Sequence, residues 1–237
     1  MYMKTLVCLA NSRKRPAGRC IAGKEITDAG FGDWIRPISV RPGHEVSDDE
    51  RRYETGAYVR LLDKVTICFK HASATAHQVE NHVLDDNYYF GYSGRATWHD
   101  VLAALDKPDP VFWMPSYHTC LGLNDKVPPF QASKFNCSLK LIRADDLKIK
   151  VTTEPGYEGS PTRRRVRGNF SHLGNQYQLS VTDPEIEEYY LQMKDGQYGI
   201  ADAALCISIS ERFRDHYYRL ITSIITPQRT QPPKPRL

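Results

Sequence analysis

Gly174-Asn175-Gln176-Tyr177-Gln178-Leu179-Ser180-Val181-Thr182-Asp183-Pro184 is the stretch whose reading settles the architecture. Gly-Asn is a tight-turn pair, and Tyr177, Leu179 and Val181 then alternate with polar residues, the pattern of a strand with one buried face. Thr182-Asp183-Pro184 opens a helix: Asp183 can accept from a free backbone N–H as N-cap, and Pro184 needs no donor at the first helical position. Upstream, Val166 and Phe170 flank Gly168 on the other arm of a hairpin that turns on Gly174-Asn175. Further back, Leu139 and Leu141, then Leu147, Ile149 and Val151, alternate along one long or bent strand interrupted near Asp145 and Asp146. Downstream, Ile186, Tyr189, Tyr190 and Met193 share a helical face, with Gly196 placed to end the helix. Leu205, Ile207 and Ile209 alternate again, and Tyr217 to Ile225 is a final β-branched and aromatic run.

From Cys137 to Ile225 the order is therefore strand, strand, strand, helix, strand, strand, which is that of an OB barrel, a common platform for oligonucleotides and oligosaccharides. The first half carries a fainter version: strands at Thr5 to Ala10, Arg19 to Ile26 and Asp33 to Val40, and a short helix over Ser47 to Tyr53 from the capping-box spacing of Ser47 and Glu50. An apolar run from Ala57 to Phe69, one strand or two, and a last strand near Gln78 to Leu84 complete it. Between the halves, Trp98, Val101, Leu102 and Leu105 form a helical stripe behind the capping pair Thr97 and Asp100. Prolines and aromatics interleave there, which is the composition of an ordered connector packed across both barrels. The expected fold is mainly β with a few helices: a first OB-like barrel over 1–84, a connector over 85–133 with a helix near 98–105, a second barrel over 134–226, and an extended tail over 227–237.

With 237 residues and 41% hydrophobic content, two small packed cores are affordable. No apolar run approaches the roughly 20 residues that cross a bilayer, and the first ten residues are too short and too soon followed by charge for a signal peptide, so the expected location is cytoplasmic. The six cysteines form no CxxC pair, and Cys8, Cys68 and Cys206 sit inside apolar strands, so neither disulfide nor structural metal is expected. His71, His77 and His82 have spacings that match neither a strand face nor a helix face.

Leu6-Val7-Cys8-Leu9-Ala10-Asn11-Ser12-Arg13-Lys14, Gly18-Arg19-Cys20-Ile21-Ala22-Gly23 and Trp34-Ile35-Arg36-Pro37-Ile38-Ser39 resemble the start of the prokaryotic dual OB-containing domain proteins. Glu80-Asn81, Gly122 to Val127, Leu179 to Pro184, Leu205 to Ser210 and Tyr218 to Ile221 extend the resemblance up to Thr226. It implies two OB-like barrels in one chain and a place in prokaryotic defence or nucleic-acid-handling neighbourhoods. It implies no catalytic residue.

Candidate binding residues follow from charge and ring chemistry. Asn11, Ser12, Arg13, Lys14, Arg15 and Arg19 gather four cations in the connection after the first strand, where side-chain charge and backbone N–H groups can hold phosphate. The competing reading is a solvated hairpin tip. Trp34 and Arg36 on the third strand stack a base and pair a phosphate if Trp34 faces outward; if Ile35 does, Trp34 is core. Arg163, Arg164, Arg165 and Arg167 are the densest charge run, expected to start in the matching connection of the second barrel, so that two aligned barrels would share one cationic groove. A net charge of +4 is compatible with this.

There is no Walker loop, dinucleotide fingerprint, HExxH or G-x-S-x-G, and no cofactor or catalytic group is expected. Three readings remain: a module for single-stranded nucleic acid, a small-nucleotide sensor around Asn11, Ser12, Arg19 and Arg36, and a scaffold that docks an effector protein through the aromatic connector.

Overall fold

The computed structural model describes residues 1–14, 18–75, 77–144, 146–156 and 161–231. Asp145 and Arg15 lie outside the described residues. The chain divides into two compact units, Met1–Leu105 with Ile225–Leu237, and Asp106–Ile224. The segment expected to be a separate connector is thus divided between the two units. Its first part supplies a strand and a helix to the first unit, and its second part fills the core of the second.

In the first unit, β1 (Tyr2–Lys14), β2 (Gly18–Thr27), β3 (Gly30–Ile38), β4 (Asp63–Ala72) and β5 (Asn81–Leu84) run in the order β1-β2-β3-β5-β4, and β4 pairs back with β1. The sheet closes because β1 is long and broken by a register shift between Cys8 and Ala10: its first half pairs β4 and its second half pairs β2. β3 and β5 are parallel, so this is the OB path. Leu6, Cys8, Ile21, Ile35, Val65, Ile67 and Phe69 fill the interior. β6 (Gly91–Arg95) adds an edge strand beside β4. The Ser47–Glu50 capping bonds form, yet the chain makes only a turn there: Tyr53 N–H donates to the carbonyl of Ala57, and its hydroxyl to buried Asp63 (2.7 Å). Of the apolar run from Ala57, only Asp63 onward is strand; Leu62 has a φ of 74°, which breaks the extended path before it. α1 (Trp98–Ala103) starts with the expected Thr97–Asp100 capping box.

The second unit repeats the path. β8 (Leu139–Ala144) and β9 (Leu147–Glu154) are the two halves of its first strand, followed by β10 (Arg163–His172), β11 (Asn175–Val181), α3 (Pro184–Leu191), β13 (Ala203–Ile209) and β14 (Tyr217–Ile225). The order β9-β10-β11-β14-β13-β8 closes through that bent strand, with β11 and β14 parallel. Gly168 leaves room here for the Cδ1 end of Ile221, which a Cβ would push aside across the interior. The hairpin turns one position earlier than the Gly-Asn pair indicates, with Leu173 and Gly174 both at positive φ, the two values a type I′ turn needs. Asp183 caps α3 as expected and its other oxygen accepts from Ile224 N–H (3.1 Å), pinning the helix to β14. The helix ends at Leu191, before Gly196, which opens an edge strand β12 (Gly196–Ile200) against β9.

A short strand β7 (Lys126–Val127) and helix α2 (Pro129–Ala132) belong to the same unit, and Phe112, Trp113 and Phe135 join its core. Arg219 clasps this segment. It is fully buried and donates to the carbonyls of Phe112 (2.7 Å), Met114 (3.1 Å) and Asn124 (2.7 Å) and to Ser116 Oγ (2.6 Å). Burial lowers its pKa to about 10, so it remains a cation at neutral pH. The tail differs from the extended form expected of it: Pro227–Thr230 is a 3-10 turn, and the carbonyl of Arg229 accepts from Arg95 in the first unit (3.0 Å).

Candidate nucleic-acid interface

Strand alternation gives every barrel strand an inner and an outer face. On the first barrel the outer face of β2 and β3 carries Ala22, Lys24, Trp34 and Arg36, all buried. Trp34 is 6% exposed with the Lys24 ammonium 5.7 Å from its ring, so it offers no ring to a base. Ile35 fills the barrel interior beside it, so both faces of β3 are covered. Arg36 is committed as well, forming a buried ion pair with Glu80 (3.0 Å) and donating to Cys20 Sγ (3.4 Å).

The residues expected in a basic loop are instead in strands. Asn11 to Lys14 end β1, Gly18 and Arg19 begin β2, and Arg13 stands directly opposite Arg19. Asn11 donates to the carbonyl of Val59 (3.0 Å) and Ser12 is buried. Arg19 exchanges backbone bonds with Val46 (2.8 and 2.9 Å), which fastens the 40–46 segment against the strand. Ser12 and Arg36 are thus buried, and Asn11 is tied to the backbone of Val59.

The second barrel is different. The register Arg163↔Glu154, Arg165↔Thr152, Arg167↔Lys150 and Asn169↔Lys148, continued by Asn169↔Gln178 and Ser171↔Gln176, lays these side chains on one outer face of β9, β10 and β11. Leu147, Ile149, Val151, Val166, Phe170, Tyr177 and Leu179 take the alternate positions and fill the core. Five cations thus face Glu154, with Asp125 and Asp146 at the margins. Lys148 and Arg163 are exposed, Lys150 and Arg165 partly so.

The arginine run divides its labour. Arg164 points to the other side and holds α3: it pairs with Asp195 (2.9 Å) and donates to the carbonyls of Leu191 and Met193, satisfying the helix C-terminus with a cation. Arg167 is buried, with a two-pronged bond to Glu154 (2.6 and 3.0 Å) and Nη1 at 3.5 Å from Asp125. These two guanidiniums are committed to bonds within the barrel. Arg165 lies 3.7 Å from Glu154, and burial, with Arg163 and Arg167 beside it, pulls its pKa below the usual guanidinium value. Asn169 Oδ1 is buried and without a hydrogen-bond partner among the described residues.

Lys148, Lys150, Asn169 and Gln178 are residues of this face that charge clustering alone misses. Their signal is the alternation Leu147-Lys148-Ile149-Lys150-Val151: if the apolar residues face inward, both lysines must share the opposite face. Among the described residues no group of three or more His, Cys, Asp or Glu is arranged to hold a metal ion, and no helix is long and apolar enough to cross a membrane.

A search of curated proteins finds no match to the chain. The profile of the dual OB-containing domain matches residues 4–224, nearly the whole length and both barrels. Two OB paths in succession and a match of that extent lead to one conclusion: the chain belongs to the dual OB-containing domain family.

Proposed function

We propose that the protein is a non-catalytic nucleic-acid-binding module that takes a single strand across the outer face of β9, β10 and β11. The supporting observation is the row Lys148, Lys150, Arg163 and Arg165 beside the amides of Asn169, Gln176 and Gln178 on one sheet face, all of them exposed or half-buried. Cations neutralise phosphates, and side-chain amides can hydrogen-bond to base edges. From Arg163 to Ser171 a strand spans about 26 Å, enough for the several nucleotides a single OB barrel engages. Such a module fits a nucleic-acid-processing or defence system in which catalysis lies with another protein.

Fluorescence anisotropy with labelled single-stranded DNA, single-stranded RNA and duplex at two salt concentrations tests the reading. Affinity should fall steeply with salt. Replacing Lys148 and Lys150 together by glutamate should weaken binding at least tenfold and reduce the log–log salt slope by about 1.4, at about 0.7 per single-strand phosphate contact. Wild-type protein that binds none of the three at low salt overturns the proposal.

A further inference from the structure

The β13–β14 connection, Ser210 to His216, carries an unusual surface ring. Phe213 is 55% exposed and lies between Arg212 and Arg214 in sequence. Reciprocal backbone bonds between Phe213 and His216 (2.9 and 3.3 Å) close the turn, and Arg214 takes a φ of 56°, a conformation unusual for a residue with a side chain. Arg212 braces the loop through Asp215 (3.1 Å) and the carbonyl of Arg214 (3.1 Å). A second bond, from Tyr218 N–H to Ser210 Oγ (3.0 Å), ties the loop base together. The ring sits half-exposed on a braced hairpin, with the Tyr218 ring 6.4 Å and the Arg214 guanidinium 5.7 Å from its centre.

Register places this hairpin relative to the sheet face. β14 runs parallel to β11, with Ser180 opposite Leu220, so the loop that opens β14 lies at the end where β11 begins. That is the Ser171–Gln176 end of the cationic face, opposite to Arg163. Lys126, paired with Tyr218, and Tyr117, 54% exposed and 6.0 Å from the His216 ring, border the same end.

We infer that Phe213 is a base-stacking finger that selects unpaired nucleotides, with Arg212 and Arg214 holding the flanking phosphates. The inference rests on the nucleic-acid reading of the sheet face and supplies the group that gives it a preference for single strands. The face itself supplies charge and amides but no exposed ring, since Phe170 and Tyr177 point into the core. Stacking on Phe213 requires a base with a bare face, which a duplex interior does not present.

The test is anisotropy of the full chain with a labelled oligothymidylate and a duplex of equal length. Phe213→Ala should lose about tenfold or more in single-strand affinity, keep duplex affinity and salt slope, and unfold at the wild-type urea midpoint. Phe213→Trp should restore single-strand binding, with indole emission quenched as the strand saturates. Wild-type affinity in Phe213→Ala, together with a loss in the Lys148/Lys150 glutamate variant, overturns the finger and leaves the face intact. Absence of binding by the wild type overturns both.

Discussion

Strands two and three of the first barrel bury Ala22, Lys24, Trp34 and Arg36 on their outer face, whereas the matching strands of the second leave Asn169, Ser171, Gln176 and Gln178 partly or fully open. The path of the chain is the same in both. What differs is how the charges are used. Arg36 in the first barrel has its own buried carboxylate, Glu80, while Glu154 in the second is shared by Arg165 and Arg167. Five cations on the second face, Lys148, Lys150, Arg163, Arg165 and Arg167, outnumber Glu154, Asp125 and Asp146, which leaves residual positive charge on the open face. Equal topology therefore permits an open cationic face and a closed structural one.

The largest expected effect tests the buried pair. Glu80→Ala strands Arg36 in the first barrel and should cost about 3–5 kcal/mol in urea unfolding, with nucleic-acid affinity of the folded protein unchanged. Glu154→Gln should also destabilise, by about 2 kcal/mol, but raise affinity for a polyanion at low salt. Equal binding behaviour of the two variants would erase the distinction between the faces. Arg13→Glu, an exposed substitution on the first barrel, should change single-strand affinity by less than about threefold, measured against the tenfold loss expected on the second; a larger loss would move part of the interface to the first barrel.

The smallest effect is linked to pH and is common to both barrels. Burial holds His82 and His172 below the usual imidazole pKa of 6.5, which favours the neutral ring in the folded state. The unfolded chain binds more protons between the folded and unfolded pKa values, so the stability each contributes is present above about pH 6.5 and is lost as pH falls through the folded value. Urea midpoints should drop on acidification, and the drop should shrink in His172→Gln, whose ring partner Trp113 lies 4.6 Å away. A midpoint independent of pH in the wild type would contradict this.

The second barrel was legible because its period-two stretches Leu147 to Val151 and Tyr177 to Val181, the Asp183–Pro184 cap and the run Tyr217 to Ile225 each have one local explanation. The first was less so: the Ser47–Glu50 spacing encodes a turn, and the residues beyond it bond to partners outside any helix, Tyr53 N–H to the carbonyl of Ala57 and its hydroxyl to Asp63. Site residues were least legible. Four neighbouring arginines look alike in sequence, but one caps a helix, one is buried on a carboxylate, and two remain at the surface of the face. Those fates depend on Leu191, Met193 and Glu154, partners that are remote in sequence or that depend on strand register. Lys148 and Lys150 were readable from alternation because strand geometry is local, whereas the counter-charge of each arginine is not.

The bond from Arg95 to the carbonyl of Arg229 has a consequence for biosynthesis. The first unit takes in Ile225 onward only after the entire second barrel has left the ribosome. A nascent chain halted at residue 224 would already contain every strand of the first barrel, yet its Arg95 would lack this acceptor. Loss of the closing turn would therefore loosen the barrel made first, beside Asp63 and Arg95, and spare the barrel made last.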